Sequence, residues 1–194
     1  MLVPIRLLFG ALALTGGSLL VASEVQIAKV DFDLVTAEGG RDPWYEIVVE
    51  VSVEEGEDAT DGHPRFADAI TVSLALATEV NRGGGRSYTF YSARVEYPAL
   101  EVGQQLARFY LPPEIVKRDR VRGEPFAFEI ELLSPEGPQA SLVSRNLETP
   151  GALRAFRSQV AASGAGLGVL RHQYQTPFAW SYPRETPTPG LESQ

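Results

Sequence analysis

The chain has 194 residues, 44% of them hydrophobic and 22% charged, with a formal net charge of −8. That composition fits a folded soluble protein of one ordinary domain plus tails, and the acidic balance argues against nucleic acid or an anionic membrane as partner, since either needs clustered Lys and Arg. With no cysteine in the chain, disulfides, Cys-ligated zinc, thiol catalysis and a lipoprotein anchor are excluded.

In chain order, the first element is a leader. Residues 1–23 set one basic residue, Arg6, ahead of an apolar run from Leu7 to Ala22, and Val21-Ala22-Ser23 fits a small-residue cleavage site. This is the layout of a secretory signal peptide. An uncleaved anchor is the competing reading, but the run falls short of the ~20 residues a span needs, and Gly16-Gly17 weakens a permanent helix. The expectation is an exported protein, periplasmic or at the cell surface, with no membrane span after cleavage. No pilin-type processing motif is present.

Residues 24–148 read as a β-sandwich domain, because apolar residues recur at every second position. In "WYEIVVEVSVE", Tyr45, Ile47, Val49, Val51 and Val53 share one face, and Glu46, Glu50, Ser52 and Glu54 share the other. One face is buried and one wet, as in an antiparallel sheet with a solvated side. "AITVSLALATEV" repeats this through Ile70, Val72, Leu74, Leu76 and Val80, and "PFAFEIELL" through Phe126, Phe128, Ile130 and Leu132. "VQIAKVDFDLV" switches parity near Ala28-Lys29. "SYTFYSARVEY" does so near Phe90-Tyr91, which predicts a β-bulge at each place. "QLARFYLP" and "ASLVS" are shorter strand candidates, and "AEGGRDP", "NRGGGRS" and "SPEGPQ" carry turn chemistry. The fold class is all-β, an immunoglobulin-like antiparallel sandwich with one C-terminal helix and an extended tail. A closed barrel is the competing architecture.

Helix signals are few. "LPPEIVKRD" predicts one turn opened by Pro113. Residues 149–163 are a stronger case: Thr149 as N-cap, Pro150 at the first helical position, Gly164 as the stop, and Leu153, Phe156 and Val160 as one stripe packing on the sandwich. "GAGLGV" then reads as a hinge. Residues 164–183 form an extended aromatic segment, and 184–194 a disordered tail.

Little in the chain points to chemistry. Its two histidines, His63 and His172, stand outside any recognisable catalytic motif, and neither Gly-x-Ser-x-Gly nor His-Glu-x-x-His occurs. A hydrolase would need one of them on a cleft floor beside a carboxylate. The acidic loop 54–68, with Glu54, Glu55, Glu57, Asp58, Asp61 and Asp68, offers calcium-type oxygen ligands, but without EF-hand spacing. The expectation is no enzyme, no cofactor and no metal site.

What stands out is apolar. Tyr174, Phe178, Trp180 and Tyr182 fall in a segment whose Pro177 and Pro183 fix φ and lower the entropy lost on docking. Such a segment either binds a partner's groove or sheet edge in trans or folds back over an open edge of its own domain. These four are the candidate partner-binding residues.

With Trp44-Tyr45-Glu46-Ile47 in an early strand, a late helix, and "VLRHQYQTPFAW" after it, the chain resembles the immunoglobulin-like, pilus-associated proteins of Akkermansia and related Verrucomicrobia, encoded beside type IV pilus assembly components. The resemblance implies an immunoglobulin-like sandwich with a non-catalytic role in a type IV pilus-like or envelope assembly, and it carries over no catalytic residue. Envelope or pilus assembly proteins are then the expected partners, and sheet edges offer a route to homo-oligomers. The alternative is a carbohydrate-binding module using Trp44, Tyr91, Trp180 and Tyr182 as sugar platforms.

Overall fold

The computed structural model describes residues 24–54, 66–82, 85–163, 168–182 and 185–190. The leader, most of the acidic loop with His63, and the hinge at 164–167 lie outside the described residues. Eight strands are described: β1 Val25–Val35, β2 Trp44–Val53, β3 Phe66–Arg82, β4 Gly85–Glu101, β5 Gly103–Leu111, β6 Ala127–Ser134, β7 Gly137–Val143 and β8 Arg171–His172. They form two four-stranded antiparallel sheets, ordered β1-β2-β5-β8 and β4-β3-β6-β7. This is an all-β, immunoglobulin-like sandwich rather than a closed barrel.

The alternation of β2 and β3 decides the core. Tyr45, Ile47, Val49, Val51 and Val53 are all buried, as are Ile70, Val72, Leu74, Leu76 and Val80. The inner faces meet across the middle, where the Phe32 ring of β1 lies 5.1 Å from Phe128 of β6. The chain passes from one sheet to the other through Gly103, whose φ of +112° only glycine adopts readily. β1 carries its bulge between Ile27 and Lys29.

β4 departs from the expectation. Its pairing with β3 runs without a register shift past Phe90 and Tyr91, so no bulge forms there. Tyr91, Val95 and Tyr97 point into the core, whereas Phe90 points outward and is partly buried there. Helix α2, Pro150–Ala162, supplies the cover: its buried Phe156 meets Phe90 at 5.9 Å, with Leu153 and Val160 beside it. Thr149 caps the helix, its Oγ1 accepting from Ala152 N. Arg157 from the same helix donates to both carboxylate oxygens of buried Glu129 on β6 and to Glu131. Part of the outer face of this sheet is therefore covered as well as the inner one.

A short helix α1, Pro113–Asp119, closes one end of the sandwich. Two inward tyrosines reach it and the following loop. Tyr91 donates to the buried Asp119 carboxylate, which Arg118 also holds, and Tyr45 donates to Gly123 O at 2.7 Å. Burial pushes both phenols well above the ordinary tyrosine range, and at Tyr91 the Asp119 carboxylate adds to the effect.

Candidate functional site: the C-terminal strap and its exposed tryptophan

From Gly168 to Tyr182 the chain is neither extended nor loose. It is a strap of short turns laid over the outer face and free edge of the β5 sheet. Arg171 and His172 pair with Tyr110 and Phe109, a 3-10 turn follows at Gln173–Gln175, and successive turns carry the chain to Tyr182. Pro177 fixes one φ, but Thr176 decides the local path: its Oγ1 donates to Gln173 O at 2.6 Å and accepts from Phe178 N. From Glu185 to Gly190 the chain stays docked. Glu185 O accepts from Leu106 N on the β5 edge, buried Thr186 bonds Gln173, and Gly190 N donates to Glu96 O of β4 at 2.7 Å. The expected disordered tail is thus corrected through Gly190. Its main-chain groups find partners on edge strands that would otherwise be open, and the Thr186 hydroxyl finds one in the strap's own Gln173.

The outer face beneath the strap is polar and aromatic. Glu46, expected on a wet face, is only 6% exposed, and Arg108 beside it only 7%. Arg108 Nη1 donates to Glu46 Oε1 at 3.1 Å and Nη2 to Glu185 Oε2 at 3.2 Å, and Tyr110 OH donates to Glu46 at 2.6 Å. The Tyr182 ring lies over the guanidinium, 4.2 Å from Cζ, a cation–π contact that covers the charge on its outer side. Burial, helped by the Glu46 hydrogen bond, drives the Tyr110 phenol far up in pKa.

The four candidate contact residues separate here. Phe178 is buried, stacked on Tyr110 at 4.6 Å and edge-on to Trp44 at 5.9 Å, so it anchors the strap to its own domain. Tyr174 is half-buried near His172. Tyr182 is partly exposed but spends one face on Arg108. Trp180 is 87% exposed, about twice any other large apolar side chain described. Sugar-platform geometry loses two of its four candidates: Tyr91 is in the core, and Trp44 packs against Phe178 and Tyr110.

One residue that sequence reasoning missed holds the arrangement. Gln173 is 2% exposed. Its Nε2 donates to Phe178 O at 2.9 Å and to Ser181 O, and its Oε1 accepts from Thr186 Oγ1 at 3.0 Å. The two carbonyls flank Ala179 and Trp180, so one buried amide grips the turn on both sides of the exposed indole. A single glutamine among polar neighbours gives no periodic signal, and only the folded path reveals it.

Other surfaces offer less. A groove of about 610 Å³ lies on the outer face of the β3–β4–β6 sheet between α2 and the strap, with Ser73, Ala75 and Ser92 on its floor and His172 on its wall. Its carboxylates, Glu129 and Glu131, are both held by Arg157. Among the described residues no group of three or more His, Asp or Glu is placed to hold a metal ion. No described helix is long and apolar enough to cross a membrane.

No protein-family model matches the chain, and no curated protein matches it. A crystal structure of a protein from Akkermansia muciniphila is similar to it, with a TM-score of 0.66 and 18% sequence identity over 87% of this chain and 94% of that one. At that identity the likeness is one of fold, and it shows that the immunoglobulin-like sandwich is shared with an Akkermansia protein.

Proposed function

We propose that this is an exported, non-catalytic immunoglobulin-like protein that makes protein–protein contacts in a cell-envelope assembly, of the type IV pilus-like kind that its sequence resemblance implies. The observation that carries the reading is Trp180, fully presented on a turn whose flanking carbonyls are pinned by Gln173. Tryptophan is the side chain most enriched among binding hot spots, and a turn ordered before binding has little entropy left to lose. The signal-type leader at residues 1–23 supports an envelope location.

Placing a photo-crosslinking residue at position 179, beside the intact indole, in the native host tests this. Crosslinks to envelope or pilus-assembly proteins, lost when Tyr182 and Trp180 are both Ala, are the expected result. Retention of the protein in the cytoplasm, or partner capture unaffected by Trp180→Ala, overturns the proposal. Binding of Trp180 to a glycan array without any protein crosslink would move the site to the carbohydrate-binding alternative.

A further inference from the structure

A cleft lies at the end of the sandwich next to the strap's Phe178–Trp44 contact. The cleft has a volume of about 280 Å³ and lies between α1 and the β1–β2 loop. That is just below the ~300 Å³ at which sites for whole small molecules begin, so it suits one large side chain. Leu34, Pro43, Pro113 and Val121 give it apolar walls, and Leu34 is 42% exposed.

Lys117, Arg120 and Arg122 line it as well. All three are exposed and make no ion pair with a described residue. Cations within reach of an aromatic face favour tryptophan above the other rings. Asp42 adds a carboxylate to the same lining. A buried indole needs an acceptor for its N–H, and Asp42 is the one acidic side chain there to supply it. Apolar walls, a cationic rim and one acceptor together describe the needs of a tryptophan more closely than those of a leucine or a phenylalanine.

Knob and cleft belong to the same end of the molecule. Pro43 directly precedes Trp44, whose ring meets Phe178, two residues before Trp180. Phe178 also stacks on Tyr110, three residues before Pro113. We infer that a second copy of this chain is the occupant: Trp180 of each copy inserts into the Leu34–Pro43–Pro113–Val121 cleft of the other, about a two-fold axis. When both halves of a contact share one end, a two-fold operator satisfies both at once and the assembly closes as a dimer. The net charge of −8 opposes self-association, and the cationic cluster at Lys117–Arg122 places the exception at this end. The inference rests on the reading of Trp180 as a contact anchor and names its partner.

Sedimentation equilibrium on the full mature chain tests it, with Trp180→Ala and the double variant Arg120→Glu/Arg122→Glu. Both variants change exposed side chains, and unchanged thermal melts check that they fold. A concentration-dependent dimer is expected for the wild type, weakened at least ~30-fold in each variant, as for loss of a hot spot. Mixing the two variants is the decisive arm. Trp180 of the charge-reversed copy meets the intact cleft of the Trp180→Ala copy, so the mixed dimer is expected to be tighter than either variant alone. A wild-type chain that stays monomeric at high micromolar concentration, or variants that dimerise like the wild type, overturns the inference. So does a mixture no tighter than its components. A monomer that still loses envelope crosslinks with Trp180→Ala removes the dimer and leaves the proposed function standing.

Discussion

Gln173→Ala removes three hydrogen bonds from a site that is 2% exposed. Each is worth about 0.5–1.5 kcal/mol net, giving ~3 kcal/mol at the centre of the range. If the strap stayed docked, Ser181 O and Thr186 Oγ1 would lose this partner and Phe178 O would keep only Ser181 N, at about 1–3 kcal/mol for each buried group left unpaired. The anchors that remain include Phe178, worth ~1.5–3 kcal/mol of burial, the Arg108–Tyr182 contact, worth ~0.5–2 kcal/mol, and the main-chain bonds from Leu106 N and Gly190 N, about 0.5–1.5 kcal/mol each. Because the penalty is comparable with what remains, the strap is expected to release locally rather than keep its path. Amide hydrogen exchange reads this directly. Leu106 N–H, bonded to Glu185 O, and Gly190 N–H, bonded to Glu96 O, lie under the strap. Their exchange should quicken by roughly 100-fold, since each 1.4 kcal/mol is about tenfold. Ser144 N–H, bonded to Phe128 O in the other sheet, should change much less. If Leu106 and Gly190 keep their protection in a folded Gln173→Ala protein, the pin is elsewhere and the reasoning fails.

Arg157→Ala leaves the Glu129 carboxylate buried without its bidentate partner, and should destabilise by ~2 kcal/mol in denaturant melts. The low figure reflects the half-exposed Arg157 side chain, and adding Glu129→Gln should recover part of the loss. Tyr45, Tyr91, Tyr97 and Tyr110 all have phenols pushed upward, by burial first. A folded value above the unfolded ~10 gives stability that is complete below pH ~10 and lost as pH rises past it. Denaturant midpoints should therefore fall between pH about 9 and about 11, and a flat profile there would contradict these four burials.

The sandwich was legible because half-buried strands advertise themselves. In β2, the β-favouring side chains at odd positions alternate with a mixed set that includes Glu46, Glu50 and Ser52, and every odd position lies in the core. The same rule misled wherever a second layer covers the outer face. Tyr88 and Phe90 looked like a parity error in β4, yet they are an outward aromatic pair serving Phe126 and Phe156. Glu46 looked solvated, yet Arg108, Tyr110 and the strap enclose it. Alternation reports one interface per strand and is silent about covers contributed from far along the chain. In the strap, prolines suggested an extended path, but Thr176 hydroxyl bonding and the Gln173 amide fold it into turns. Those bonds depend on residues eight and thirteen positions apart meeting in space, which no local pattern encodes.

Both outer faces are covered in part by the chain beyond the seventh strand, α2 on one sheet and the strap on the other. A segment serving only as a cover would bury its aromatics, as Phe156 and Phe178 are buried. Trp180 breaks that logic, and it does so on the turn whose geometry depends on the same amide that docks the strap. Docking and presentation are therefore one equilibrium. A partner that binds only the ordered turn must stabilise the strap against the β5 edge, by an amount that grows with its concentration over its dissociation constant. Protection of Leu106 N–H should rise on binding although that amide touches no partner. A contact made by a free, unpinned tail would leave it unchanged.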